Sequence, residues 1–145
     1  MKIIGCGARN RGDDQAGLIV AERMRELGFE AEAYTGDPLR LLDSWSADDD
    51  VILVDAVQTG APAGTIHIWD GDIPRSAESA VSSHGFDISK ALELARALHR
   101  LPASLRVYGI EGLNFSQTQG LSPEVLGAID TAIRQFGHLS SHSVE

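Results

Sequence analysis

Hydrophobic residues recur along this chain with two different periods, and the two periods alternate. Short runs of apolar and β-branched residues predict strands at residues 2–6, 30–35, 51–54, 65–69 and 105–110. Apolar residues three and four positions apart predict helices at about 14–27, 86–99 and 123–136, with a short helix after Pro38. The chain is therefore expected to alternate strand and helix.

This alternation predicts an α/β fold, a three-layer α/β/α sandwich around a mixed, mostly parallel central sheet of about five strands. Residues 51–54 form a continuous aliphatic run that is typical of a central parallel strand, and Asp55 is expected to end it. Strand 65–69 follows after a connection too short for a parallel crossover, so it is expected to be antiparallel. The 145 residues are expected to form one domain over 1–137, followed by a flexible tail at 138–145.

Capping residues place the ends of the helices. Asp13 is predicted to be the N-cap of the first helix, and Gly28 is predicted to stop it. Ser122 and Pro123 predict the start of the last helix, with the serine as N-cap and the proline at the first helical position. Gly137 is expected to end that helix.

The charge of the chain excludes some partners. The net charge is −9, with a pI of about 4.9. This disfavours nucleic acid and anionic membrane surfaces, and it is compatible with cations, with basic protein segments or simply with solubility.

The single cysteine, Cys6, allows no internal disulfide and fits a reducing compartment. It lies in a predicted buried strand, so a core position is expected. No apolar run reaches the ~20 residues of a membrane-spanning helix, and no hydrophobic leader precedes the first strand. A cytoplasmic protein is expected.

The segment between the first strand and the first helix carries unusual chemistry. Gly7 and Gly12 have the spacing that begins a phosphate-binding P-loop, but Asp13 and Asp14 stand where lysine and a hydroxyl residue would follow. Two carboxylates repel a polyphosphate and attract a cation. The dinucleotide fingerprint is not met either, because Asn10 replaces its third glycine. The pattern indicates a metal site on a nucleotide-like scaffold.

Asp14, Asp55 and His84 are the candidate ligands. Asp14 and Asp55 follow predicted strands at their carboxyl ends, where sites form in open α/β sheets, and His84 reaches that rim if its loop folds over it. Two carboxylates and an imidazole suit Zn, Ni, Mn or Fe. Each residue also has a simpler explanation: a first-turn carboxylate for Asp14, a strand-end cap for Asp55, a loop histidine for His84. Spacing alone does not show that the three meet.

Two further residues stay open. Glu111, at the end of strand 105–110, lines the same rim or is a solvated strand end. His67 lies in the middle of strand 65–69 and is expected on its polar face.

Five blocks follow one another in order and with natural spacing. They are Gly5-Cys6-Gly7-Ala8-Arg9-Asn10-Arg11-Gly12-Asp13-Asp14, Val54-Asp55-Ala56 with Pro62-Ala63-Gly64-Thr65-Ile66, Ser83-His84-Gly85, Tyr108-Gly109-Ile110-Glu111, and Gly120-Leu121-Ser122-Pro123-Glu124-Val125. Together they resemble the hydrogenase maturation proteases over residues 1 to about 137. Ala8 and Gln15 depart from the family pattern, which usually has asparagine and glycine there, and Asp14 is shorter than the glutamate of some members.

The resemblance implies an endopeptidase that trims the C-terminal extension of a [NiFe] hydrogenase large-subunit precursor after nickel insertion. Nickel held by the precursor would be the recognition signal, and the family's metal-contacting residues map onto Asp14, Asp55 and His84, which would also carry catalysis. No organic cofactor and a monomeric enzyme are expected. Either the metal polarises the scissile carbonyl, or a carboxylate of the site activates water.

Two other functions stay open on the sequence. One is a non-catalytic metal-binding maturation chaperone on the same fold, and the other is a nucleotide-binding regulator, which the two aspartates disfavour. Cleavage of a nickel-loaded precursor separates the protease from the chaperone, and nucleotide binding tests the regulator.

Overall fold

The computed structural model describes residues 1–71, 88–115 and 120–143, with side chains in the last helix through Leu139. The strands are β1 (Lys2–Cys6), β2 (Ala31–Tyr34), β3 (Asp50–Val57), β4 (Ile66–Asp70) and β5 (Ser104–Glu111). The α-helices are α1 (Ala16–Glu26), α2 (Ile88–Ala97) and α3 (Pro123–Ser143). Within these ranges, 3₁₀ helices span Gly12–Gln15 and Pro38–Ser44.

The five strands form one sheet in the order β2-β1-β3-β5-β4. Pairing is parallel from β2 through β5, and β4 alone pairs antiparallel, on the outer edge of β5. The predictions of a mostly parallel sheet, of a central strand at 51–54 and of an antiparallel strand at 65–69 are confirmed.

Alternate side chains of β3 enter two different cores, which produces the three layers. Ile52, Val54 and Ala56 pack in the core that contains buried residues of α1 and α3. Val51 and Leu53 pack in the core that contains buried residues of α2 and of the 3₁₀ helix Pro38–Ser44. Because successive residues of a strand point to opposite faces, the parity of a residue number along β3 decides which core it enters.

A pair of glycines brings α1 into backbone contact with the sheet. A Cβ on Gly5 would overlap the carbonyl oxygen of Gly17, and a Cβ on Gly17 would overlap the carbonyl oxygens of Cys6 and Val54. Only glycine allows backbones to approach this closely. The close approach fixes the start of α1, and the loop before it, against the carboxyl end of β1.

The structure corrects three helix and strand ends. Asp55 does not end β3, because the buried residues Ala56 and Val57 continue the ladder with β5 as far as Glu111. α1 begins at Ala16, after a 3₁₀ turn, rather than directly after an N-cap at Asp13.

α3 also differs from the prediction, because it continues through Gly137 to Ser143. Glycine within a helix costs only about 1 kcal/mol, and Leu139 beyond it packs against the core. The predicted start of the second helix at residues 86–87 lies outside the described residues. Within the described part of the chain, no helix is long and apolar enough to cross a membrane.

Candidate active site

The glycine-rich loop holds Asp14 against the end of β1. The backbone N–H of Ala8 donates to the carbonyl oxygen of Asp14 (3.3 Å), and a Cβ on Gly7 would overlap that same oxygen. The N–H of Asp14 donates in turn to the carbonyl oxygen of Arg11 (3.0 Å). This tight turn places the Asp14 side chain, which is 1% exposed, beneath the loop.

Asp13 is buried and connects the glycine-rich loop to residues 113–122 by hydrogen bonds. Its Oδ2 accepts hydrogen bonds from the N–H groups of Leu113 (2.7 Å) and Asn114 (2.9 Å) and from the hydroxyl of Ser122 (3.0 Å). Its Oδ1 accepts the N–H of Ser122 (2.7 Å). We call these four residues the Asp13 clasp. The prediction of Asp13 as a helix N-cap is therefore wrong, because its carboxylate accepts hydrogen bonds from residues about a hundred positions away in the sequence.

Asp55 projects from β3 toward the α2 side of the sheet and is 1% exposed. Its Oδ1 accepts the N–H of Ala56 (2.9 Å), whereas its Oδ2 has no hydrogen-bond partner among the residues that the structure describes. Burial raises the pKa of Asp55 well above its usual range. The negative charge of Asp14 raises this pKa further, and the bond from Ala56 acts in the opposite direction.

Asp14 and Asp55 therefore lie close enough to interact electrostatically, at the carboxyl ends of adjacent strands. His84, the third predicted ligand, lies outside the described residues. Within residues 1–71, 88–115 and 120–143, no three His, Cys, Asp or Glu side chains form a group able to hold a metal ion. The described part of the site is thus a pair of buried carboxylates.

Cys6 is buried in the α2-side core, as predicted. Burial raises the pKa of its thiol well above the usual value, and the charges of Asp55 and Glu32 raise it further. The thiolate is the nucleophilic form of cysteine, so the environment of Cys6 suppresses thiol chemistry.

Glu111 is buried at the end of β5 rather than solvated. Its Oε2 accepts the N–H of Thr59 (2.8 Å), and its Oε1 accepts the hydroxyl of Thr59 (2.6 Å). The same Oε1 lies 3.0 Å from Nε2 of His67. We call Glu111, Thr59 and His67 the Glu111 cluster. The sequence offered Glu111 as a rim residue but gave no signal for Thr59, which lies in an irregular loop.

A cavity of about 390 Å³ opens at the opposite end of the strands. Its lining includes the first residues of β3 and β5, Asp50 and Ser104. It does not include Asp14, Asp55 or Glu111, so the buried carboxylates and this cavity are separate features.

Comparison with known proteins supports the resemblance. The family model described as hydrogenase maturation protease matches residues 36–137. No curated protein sequence matches the chain significantly.

Solved structures share the fold. The chain is similar to the [NiFe] hydrogenase maturation protease HybD from Thermococcus kodakarensis, with a TM-score of 0.76, 23% identity, and coverage of 96% of this chain and 99% of that one. It is similar to the hydrogenase maturating endopeptidase HybD from E. coli, with a TM-score of 0.76, 22% identity, and coverage of 99% and 94%. The [NiFe] hydrogenase maturation protease HycI from Thermococcus kodakarensis matches with a TM-score of 0.69, 21% identity, and coverage of 94% and 88%.

The family match spans more than half of the chain and includes Asp55 and the whole of β3 and β5. Four of the five ordered sequence blocks lie within the matched residues, and the mixed sheet agrees with the match. The chain belongs to the hydrogenase maturation protease family and is a peptidase.

Proposed function

We propose that this protein removes the C-terminal extension of a [NiFe] hydrogenase large-subunit precursor after nickel insertion. In this proposal, the nickel carried by the precursor is recognised by Asp14, Asp55 and His84. The family match and the fold of the HybD and HycI proteases support a maturation peptidase. The choice of substrate and the role of nickel are the parts that the proposal adds.

The observation that carries the proposal is the state of the Asp55 carboxylate. Oδ2 is buried without a hydrogen-bond partner among the described residues, and the buried carboxylate of Asp14 lies nearby. An uncompensated buried carboxylate is costly to the folded protein, and such costs are retained where function requires them. A divalent cation presented by the substrate would supply Oδ2 of Asp55 with a partner.

The donor types also fit nickel. Carboxylate oxygen and imidazole nitrogen are borderline ligands that suit divalent nickel, and a nickel already held by precursor thiolates keeps positions for further donors. The part assigned to His84 rests on the sequence resemblance. His84 precedes Ile88 by four residues, and α2, which begins at Ile88, packs on the face of the sheet that carries Asp55.

This arrangement explains why a carboxylate site would serve a protease that awaits metal insertion. Asp14, Asp55 and His84 would hold the nickel beside the scissile bond, where its positive charge would stabilise the oxyanion that forms as water attacks the carbonyl carbon. A precursor without nickel supplies no such charge. The oxyanion then lacks this stabilisation, so the peptide bond stays intact.

The test is incubation of the purified protein with nickel-loaded and nickel-free precursor, followed by mass measurement. We expect a mass loss equal to the C-terminal extension with the loaded precursor and no change with the nickel-free one. Cleavage of both would contradict the role of nickel. Binding of the loaded precursor without any mass loss would indicate a chaperone instead.

A further inference from the structure

Asp55 and His67 lie in one row of the sheet. Asp55 of β3 pairs with Gly109 of β5, and His67 of β4 pairs with the same Gly109. Paired residues of neighbouring strands project to the same face, which here is the α2 side, where Val107 and Trp69 also pack. Two strand spacings separate the Cα atoms of Asp55 and His67, a distance of about 10 Å.

Three contacts fix the imidazole ring of His67. Nε2 lies 3.0 Å from Oε1 of Glu111 and 3.4 Å from the hydroxyl of Thr59. The ring stacks on Trp69, with centroids 5.2 Å apart and planes 9° from parallel. Glycine at position 109 is required here, because a Cβ would come within 2.9 Å of the Trp69 ring. The His67 side chain nevertheless stays 21% exposed, so a fixed ring faces solvent.

The hydrogen bonds of the His67 ring indicate which of its nitrogens donates and which accepts. Glu111 already accepts two hydrogen bonds from Thr59, so its carboxylate acts as the acceptor and Nε2 of His67 as the donor. In the neutral ring with this tautomer Nδ1 is an acceptor, and no partner for it occurs among the described residues. Such a nitrogen selects a hydrogen-bond donor, and the charge of Glu111 behind it favours a cationic one.

We propose that His67 is a substrate-binding residue that accepts a hydrogen bond from a basic side chain of the precursor's C-terminal segment. The inference rests on the proposed function and adds a specificity contact to it. An extended peptide advances about 3.3 Å per residue, so the 10 Å row corresponds to about three residues. The basic residue is therefore about three positions from the peptide bond held at Asp55. The net charge of −9 is consistent with such a substrate.

The test is a double-mutant cycle on cleavage kinetics of nickel-loaded precursor. The enzyme variants are His67→Ala and His67→Phe, and the substrate variants replace each Lys or Arg near the scissile bond by Ala. Phe keeps a ring on Trp69 but has no nitrogen, so it carries the test if the Ala variant fails to fold. His99→Asn is the matched control, since His99 is exposed beyond α2 and its positive φ of 57° suits asparagine.

We expect both His67 variants to raise KM about tenfold with kcat nearly unchanged. This increase in KM should be absent with only one substrate variant, the one whose substituted residue lies about three positions from the cleaved bond. A loss of kcat without a change in KM, or equal effects on every substrate, would overturn the inference while leaving the proposed function intact. Failure of the wild-type protein to cleave any loaded precursor would overturn both.

Discussion

Two regions with buried carboxylates lie at the carboxyl ends of the parallel strands, and they differ in the donors that face them. In the Asp13 clasp, one carboxylate accepts four hydrogen bonds, three of them from backbone or side-chain groups of Ser122 and Asn114. At Asp55, a single N–H from the next residue is the only donor that the described residues supply. Both side chains are almost fully buried.

The difference in donors indicates a structural role for Asp13 and supports the functional role proposed for Asp55. A carboxylate with four donors is electrostatically satisfied, so its burial stabilises the loop that it joins. A carboxylate with one donor, beside the like charge of Asp14, destabilises the folded state unless a proton or a cation is present. Asp13 and Asp55 are equally buried, and the number of hydrogen-bond donors that face each carboxylate distinguishes them.

The largest effect is expected from Asp55→Asn, which probes the unsatisfied region. The amide is nearly isosteric but lacks the charge that a cation requires, so cleavage of nickel-loaded precursor should fall by about a thousandfold or more. Thermal unfolding should show no loss of stability. Mass measurement after timed incubation gives the rate, and Asp48→Asn, in an exposed acidic turn, is the control. Cleavage at a normal rate by a well-folded Asp55→Asn protein would end the carboxylate-site proposal.

The satisfied region should respond in the opposite way. Asp13→Asn turns one acceptor into a donor that faces other donors, so the free energy of unfolding should fall by about 2–4 kcal/mol. The control is Asp130→Asn, which removes only an exposed ion pair with Arg23 (2.8 Å) and should change little. Denaturant titration measures both variants. An unchanged midpoint for Asp13→Asn would show that the clasp does not hold the loop.

An intermediate case is Glu111→Gln, because the Glu111 cluster is well bonded but reaches the surface through His67. One carboxamide oxygen remains as an acceptor for Thr59 or His67, and the amide nitrogen opposes the other donor. We expect the free energy of unfolding to fall by about 1–2 kcal/mol. The effect should be smaller than that of Asp13→Asn in the same titration, and a larger loss would reverse the ranking of the two regions.

The smallest effect is a pH dependence that belongs to the unsatisfied region alone. Because burial raises the pKa of Asp55 in the folded state, the folded protein binds this proton more tightly than the unfolded chain does. The resulting stability is complete below the unfolded pKa of about 4 and is lost as the pH rises through the folded pKa.

Asp55→Asn removes this dependence. Relative to the variant, the wild-type protein should therefore gain stability as the pH falls from about 8 to about 4. Denaturant titrations of both proteins across this range give the difference in unfolding free energy. A constant difference would mean that Asp55 titrates alike in the folded and unfolded states.

The sequence predicted those features that depend on local periodicity. Alternating hydrophobic periods identified every strand, and the short connection before residue 66 identified β4 as antiparallel. The rule that strand ends converge predicted a shared site for Asp14 and Asp55, and the charge of Asp14 does act on the carboxylate of Asp55.

Features that depend on distant partners could not be predicted. The donors to Asp13 lie about a hundred residues away in the sequence, so a local pattern could suggest only a helix cap. The burial of Glu111 depends on how loop 58–65 folds over it, and irregular loops carry no period. β3 runs two residues beyond Asp55 because β5 pairs with it there, which the sequence of β3 alone does not show.

The order of the strands in the sheet has a consequence for synthesis. β4 precedes β5 in the chain but hydrogen-bonds, among the described strands, only to β5. A nascent chain that ends before Ser104 can pair β1, β2 and β3 but leaves β4 without its neighbour. The donors to Asp13 also lie beyond that point. Domains form from the N-terminus as they emerge from the ribosome. Asp14 and Asp55 are therefore synthesised before β5 and before the residues that donate hydrogen bonds to Asp13. The pairing of β4 and the hydrogen bonds to Asp13 can therefore form only after residues 104–122 have been translated.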